Sequence, residues 1–320
     1  MKIVFIGTPE FSVTILKGLI SGGFKPVLVI TETDTPVGRK QIITPPPVKA
    51  LAQEHNIPVE QPIKIGDCKL KIENLKPDLI VIAAYGQIIP KTILDIPRHG
   101  CLNVHPSLLP RWRGPSPIQY AILNGDKKTG VTIILIDEKT DHGPILSQRE
   151  IIIDEDEAGK TLYEKLADLG ARLLLETIFQ VERGLLKAQP QDEEKAIYSK
   201  ILSREDGKIN WRKTAEDIKR QIRAFELWPE SFTFWQSTRK MLKIKILKAR
   251  ILESKEGITY PIGKTLVVPQ NQICVQCGKG LLRGERDFLV IEKLQLEGKK
   301  EMASEEFLRG HLDFIGTILK

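Results

Sequence analysis

MKIVFIGTPEFSVTILKGLISGGFKPVLVIT, residues Met1 to Thr31, holds the pattern on which the fold turns. Met1 to Gly7 is an apolar run with no polar alternation, the pattern of a strand buried on both faces. Phe11 to Ser21 places Val13, Ile15, Leu16, Leu19 and Ile20 at helical spacing. Pro26 to Thr31 (PVLVIT) is a second apolar strand. Two doubly buried strands joined by one helix are the repeating unit of a parallel sheet.

The same alternation continues outward. Pro46 to His55 is a helix entered through proline, which suits a first helical position. Leu70 to Leu75 is helical, and Leu79 to Ala84 (LIVIAA) is a third buried strand. Cys101 to His105 and Gly130 to Ile136 (GVTIILI) are further strands, with a short helix at Ser116 to Asn124 between them. Thr161 to Glu182 is a long helix with Leu162, Leu166, Leu169, Leu173 and Leu174 on its apolar side. The spacing therefore predicts an α/β protein with a doubly wound, mostly parallel Rossmann-like sheet. Ligands of such sheets sit at the carboxyl ends of the strands. The turn after the first strand, GTPEF, lacks the second and third glycines of a dinucleotide fingerprint, so nicotinamide and flavin cofactors are excluded.

Lys187 to Lys200 (KAQPQDEEKAIYSK) is polar and contains proline, and reads as a linker. Beyond it a helix at Thr214 to Phe225 precedes short strands at Phe232 to Trp235, Leu242 to Ile251, Thr265 to Val268, Ile273 to Cys277, Gly280 to Leu282 and Phe288 to Leu296. Ala303 to Arg309 closes as a short helix. This pattern predicts a C-terminal β-barrel domain of the oligonucleotide-binding (OB-fold-like) kind. The expected division is 1–189 for the catalytic domain, 190–205 for the linker and 206–320 for the barrel.

Size and charge agree with two domains: 320 residues exceed what one core usually serves. Four scattered cysteines, Cys68, Cys101, Cys274 and Cys277, make no disulfide framework and fit a reducing compartment. Cys274 and Cys277 form a lone CxxC with no second pair, so no zinc site is expected. With no leader or membrane-spanning pattern, a cytoplasmic location is expected. The net charge of +7 lies wholly within residues 206–320, which hold 22 Lys+Arg against 15 Asp+Glu. Such asymmetry points to a polyanionic partner for the barrel.

The chemistry concentrates in one stretch. Asn103 and His105 alternate on a strand and so share a face. They run into the Pro-rich loop HPSLLPRWRGPSPIQ, His105 to Gln119, and Asp141 follows a strand later in TDHGPIL. An amide can donate to an oxyanion, an imidazole can move a proton near neutral pH, and a carboxylate can orient that imidazole. No metal-ligand spacing surrounds them, so metal-free acyl transfer is expected. Thr35 to Lys49 forms a second unusual loop, with Gly38, Arg39 and Lys40 at its tip and three prolines at its base; it reads as a basic finger for a phosphate or as a surface excursion.

Taken together, VFIGTPEF, the GRK loop ending in PPPVK, AAYGQIIP (Ala83 to Pro90), LNVHPSLLPRWRGPSPIQ, GVTI, IRAFELWP (Ile222 to Pro229) and GKKEM resemble the methionyl-tRNA formyltransferases in order and spacing. The resemblance covers essentially the whole chain. It implies 10-formyltetrahydrofolate as formyl donor and initiator methionyl-tRNA as acceptor, with no metal, no membrane and no obligate protein partner. It places Asn103, His105 and Asp141 in catalysis. Ser107, Leu108, Leu109 and Pro110 fall on the folate-contacting loop, and Arg39 and Lys40 on the loop that meets tRNA. The alternatives are a formyltransferase for a small amine, such as a purine precursor or amino-sugar, and a catalytically dead RNA-binding protein.

Overall fold

In the computed structural model, residues 1–38, 40–237, 240–252, 260–279 and 286–320 are described. The chain divides into two units. The first holds 1–117, 127–153 and 161–200; the second holds 118–126, 154–160 and 201–320. The stretch expected as a linker is thus shared out: up to Lys200 it belongs with the first unit, and from Ile201 with the second.

The first unit is built on seven strands: β1 (Ile3–Gly7), β2 (Leu28–Ile30), β5 (Val59–Glu60), β6 (Leu79–Ala83), β7 (Cys101–His105), β8 (Lys128–Leu135) and β9 (Ile145–Ile152). A separate hairpin pairs β3 (Thr35–Val37) with β4 (Ile42–Thr44). Helices α1 (Glu10–Ser21), α2 (Pro47–Glu54), α3 (Lys69–Leu75), α4 (Lys91–Leu94), α5 (Pro117–Leu123) and α6 (Gly159–Glu182) punctuate them, and α5 passes at Ile118 into the second unit. Strand order is β5-β2-β1-β6-β7-β8-β9. Every residue of β1 and β6 is buried, which is why both read as unbroken apolar runs. The chain winds outward from β1 through β2 to β5, then crosses back to β6 on the other side of β1. That reversal opens a crevice at the strands' carboxyl ends. β5, β2, β1, β6 and β7 are parallel; β8 runs antiparallel to β7, and β9 antiparallel to β8. The sequence gives no sign of β9. Its ILSQREII is half-buried or exposed along its length, as befits a sheet edge, so no apolar run marks it.

In the second unit α7 (Ala215–Ala224) precedes the strands and is capped by Thr214 Oγ1, which accepts from Asp217 N at 3.0 Å. Its strands are β10 (Phe232–Gln236), β11 (Met241–Leu252), β12 (Thr265–Val268), β13 (Gln272–Lys279), β14 (Arg286–Leu296) and β15 (Glu301–Ala303), followed by α8 (Ser304–Gly310). All pairings are antiparallel, in the order β10-β11-β14-β13-β12, with β15 on β14. The expected strand at Gly280 to Leu282 lies outside the described residues.

The two edges of this sheet, β10 and β12, are joined by the last residues of the chain. Thr265 N donates to Thr317 O and Leu319 N to Gly263 O on one side, while Phe234 and Lys320 exchange both backbone hydrogen bonds on the other, all at 2.9–3.0 Å. The barrel expected from the strand count is closed by a C-terminal tail that carried no strand pattern. Closure removes two edges at once. Inside, Trp235 meets Phe307 and Phe314 edge-on, at 6.1 and 5.2 Å between centroids. Cys274 and Cys277 sit on opposite faces of β13, in different apolar clusters. Burial pushes the Cys274 thiol up to about 12, leaving it a poor metal ligand or nucleophile.

Candidate active site

The carboxyl end of β7 presents Asn103 and His105 on one face, as their alternation requires. Asp141, 38 residues further on, comes to both. Its Oδ1 accepts from Asn103 Nδ2 at 3.2 Å and stands 3.5 Å from His105 Nδ1. Its Oδ2 accepts from the backbone of Gly114 at 2.7 Å. The sequence-expected trio is therefore one constellation, with its carboxylate held by two donors. An amide has two N–H hydrogens. Asn103 gives one to Asp141, and the other has no partner among the described residues.

His105 is buried, and its Nε2 lies 2.9 Å from the carbonyl of Trp112. A carbonyl only accepts, so Nε2 carries a hydrogen in this arrangement. The ring thus has one edge on the loop backbone and the other toward a carboxylate, the geometry that fixes an imidazole's orientation.

The loop from Pro106 to Ser116 owes its shape to a small set of bonds. Leu109–Pro110 is cis, and Trp112 takes a left-handed backbone, φ +61°. Thr132 Oγ1 donates to Ser107 O at 2.6 Å and accepts from Leu109 N, while Gln148 Nε2 donates to both Thr132 Oγ1 and Leu109 O. Ser107 Oγ is spent on Arg111 O at 2.7 Å. The residues expected to touch folate therefore differ among themselves. Ser107 and Leu109 are buried whole, and their backbone groups are taken up within the protein by His105, Thr132 and Gln148. Leu108 and Pro110 are half-buried.

Two glycines let the loops close on Asp141. Gly114, at φ +100°, sends its N–H to the carboxylate; a Cβ there would stand 2.7 Å from Ser199 O. A Cβ on Gly143 would stand 1.8 Å from Leu135 O, so no side chain fits there. Asp141 itself is left-handed, φ +48°, a conformation that Asp tolerates better than most residues.

Sequence reasoning missed the support beneath this trio. Arg113 is fully buried and Gln191 lies against it. Gln191 Nε2 donates to the backbone carbonyls of Asp141 and Gly143, both at 2.8 Å. The backbone of 189–199 is stitched to the same region through Gln189 with Ile145, and through Ile197 and Ser199 with the 110–113 loop. A polar stretch with proline gives no periodic signal, so nothing local distinguished this segment from a free linker. His142, beside Asp141, hydrogen-bonds Asp137 and stands 3.5 Å from Glu193, outside the trio.

At the hairpin, Lys40 is exposed near the β3–β4 turn, and Val37, Ile42 and Ile43 stand 53, 61 and 62% exposed. The expected loop is thus an ordered hairpin flanking Lys40. Arg39 lies outside the described residues. Among the described residues no group of three or more His, Cys, Asp or Glu is placed to hold a metal, and no helix is long and apolar enough to cross a membrane.

The Rossmann-like sheet with this loop at the carboxyl end of β7 belongs to a class that the comparisons show, the formyl transferases. The formyl transferase family model matches residues 1–178, and the model of the formyl transferase C-terminal domain matches 201–312. The methionyl-tRNA formyltransferase of Bacillus velezensis is 45% identical over 97% of this chain and 94% of its own length. That of Citrifermentans bemidjiense is 42% identical over 97% and 94%. The chain belongs to the methionyl-tRNA formyltransferase family. Among solved structures it is similar in fold to an N-formyltransferase from Helicobacter canadensis in complex with folinic acid and dTDP-3-aminofucose, with a TM-score of 0.65 at 21% identity over 91% of this chain and 99% of that one.

Proposed function

We propose that this chain transfers the formyl group of 10-formyltetrahydrofolate to the α-amino group of initiator methionyl-tRNA, in the cytoplasm, for translation initiation. The observation that carries the reading is the convergence of Asn103, His105 and Asp141 at the carboxyl end of β7. It occurs in a chain whose relatives bear that name at 40–45% identity along nearly their whole length.

In the reaction, the amine nitrogen attacks the formyl carbon. The C–N bond to it forms as the carbonyl π bond opens to an oxyanion. The bond to the folate nitrogen then breaks, the amine loses one proton and the folate nitrogen gains one. Asn103 gives its second N–H to the oxyanion, which it meets more strongly than the neutral carbonyl. His105 exchanges the proton at Nε2 by trading the Trp112 carbonyl for a substrate nitrogen, while Asp141 steadies the Nδ1 edge when the ring is charged. Of Ser107 to Pro110, the half-buried Leu108 and Pro110 meet the folate, while the buried Ser107 and Leu109 hold the loop in shape. Residues 1–189 take the folate and the chemistry. The basic residues 206–320 take tRNA phosphates, with Arg39 and Lys40 at the aminoacyl end. The aminoacyl-tRNA acceptor supports the cytoplasmic placement.

The test is formylation with 10-formyltetrahydrofolate and three acceptors: methionyl-tRNA, free methionine and amino-sugars. Formylation of methionyl-tRNA alone is expected. Preference for a small amine would make this a small-molecule enzyme, and no turnover with any acceptor would make it a binding protein.

A further inference from the structure

Gln191 makes every hydrogen bond its amide allows. Its two N–H hydrogens go to Asp141 O and Gly143 O, and its oxygen accepts from Arg113 Nε at 3.1 Å and Nη2 at 2.9 Å. Only one orientation of the amide satisfies this. Turned over, its oxygen would face two carbonyls and its NH2 a guanidinium.

Arg113 is saturated in the same way. Beyond the two bonds to Gln191, Nη1 donates to Glu193 Oε2 at 3.0 Å and to the Tyr198 hydroxyl at 3.1 Å, and Nη2 donates to Glu193 Oε1 at 2.6 Å. All five donors of a fully buried guanidinium are used, two of them on a bidentate carboxylate. The hydrogen bonds that Arg113 donates to Glu193 hold the guanidinium pKa above its ordinary value and the Glu193 carboxyl below the usual range. The pair therefore stays ionised across the neutral range. A rigid ionic base carries one amide, and that amide grips the backbone on either side of His142.

We propose that Gln191 is a positioning residue for Asp141, with Arg113 and Glu193 fixing Gln191 in turn. Asp141 sits on a left-handed backbone two residues before Gly143, a place where the chain has other conformations open to it. Among the described residues its carboxylate accepts from Asn103 and Gly114, while Gln191 holds the main chain at Asp141 O. The inference rests on the reading of Asp141 as the carboxylate that steadies His105. Loss of the anchor lets the carboxylate drift, and a displacement near 1 Å in a catalytic group costs on the order of 100-fold in rate.

The test uses the full chain with Gln191→Glu and Gln191→Ala. Gln191→Glu keeps an acceptor for Arg113 and so keeps the fold, but offers no N–H to the two carbonyls. Both variants are expected to lower single-turnover formylation by roughly 10- to 100-fold, with KM for tRNA and formyl-folate within about threefold. In Gln191→Glu, amide exchange should quicken at Gly114 and across 139–145, with the rest of the chain unchanged. In an Asp141→Ala background, Gln191→Glu should cost nothing more, because residues acting as one unit are not additive. Unchanged exchange at these amides, a wild-type rate, or full additivity with Asp141→Ala would each overturn the proposal. A fully active Asp141→Ala would instead remove the catalytic reading of Asp141, and the amide exchange would still decide whether Gln191 holds that loop.

Discussion

Asp141→Asn changes one atom and reverses one hydrogen-bond direction, so its consequence can be worked from the structure. The carboxylate accepts on both oxygens: Oδ1 from Asn103, near His105 Nδ1, and Oδ2 from Gly114 N. An asparagine has one acceptor to offer. If its oxygen takes the Gly114 side, where the contact is 2.7 Å, its NH2 meets the Asn103 amide donor to donor. That NH2 also donates to His105 Nδ1, which holds the ring neutral with its hydrogen at Nε2. If the oxygen turns the other way, the Gly114 N–H loses its acceptor, at a cost of about 1–3 kcal/mol. Either way the imidazolium loses its counter-charge. At an effective dielectric near 20, unit charges at the observed 3.5 Å attract by about 4–5 kcal/mol. The Asp141 side chain is 14% exposed, so water screens part of this, and about 2–3 kcal/mol remains as a working figure. That corresponds to roughly 30- to 150-fold in rate. Rapid-quench formylation of methionyl-tRNA under single-turnover conditions reads the chemical step directly. The variant should keep its formyl-folate affinity. A folded Asp141→Asn within threefold of wild type would refute the argument that the charge steadies His105.

Asn103→Ala removes the N–H that the proposed mechanism gives to the oxyanion and should cut turnover by roughly 100- to 1000-fold, with His105→Ala costing at least as much; kcat for the purified variants decides it. Leu319, 4% exposed and next to last in the chain, seals the barrel seam, so Leu319→Ala should cost about 2–5 kcal/mol in urea unfolding followed by tryptophan fluorescence. Glu193 carries a pH signature. Because Arg113 lowers its folded pKa, its stabilisation is complete above the unfolded glutamate value and is lost as pH falls through the lower folded one. Wild-type Tm should therefore exceed that of Glu193→Gln at pH 6–8, and the two curves should converge on acidification below about pH 4; a constant gap would detach Glu193 from Arg113. For tRNA, log affinity against log salt should fall with a slope on the order of −0.7 to −0.9 per phosphate contacted, and a flat response would exclude the basic unit as the phosphate platform.

Local periodicity alone encodes the central strands and the shared face of the catalytic candidates. MKIVFIG and LIVIAA had to be central strands, because only a strand covered on both faces buries every residue in a row. The alternation of Asn103 and His105 put both on one face before any fold was known. The charge asymmetry marked 206–320 as chemically different from the remainder. Tertiary structure decided whatever depends on residues far apart in the chain. Edge strand β9 was invisible because exposure removes the apolar pattern that reveals a strand. Barrel closure was invisible because the tail at 317–320 borrows its pairing from β10 and β12, more than 50 residues away. Asp141 could be suspected from sequence, but its two donors could not, since Gly114 and Asn103 reach it only across the folded loops. Gln191 is the sharpest case. In sequence it is one polar residue in a linker-like stretch. In the folded chain its amide is fixed by a buried arginine and holds the backbone of Asp141. Hydrogen-bond saturation between distant segments leaves no periodic trace, so only the three-dimensional arrangement records it.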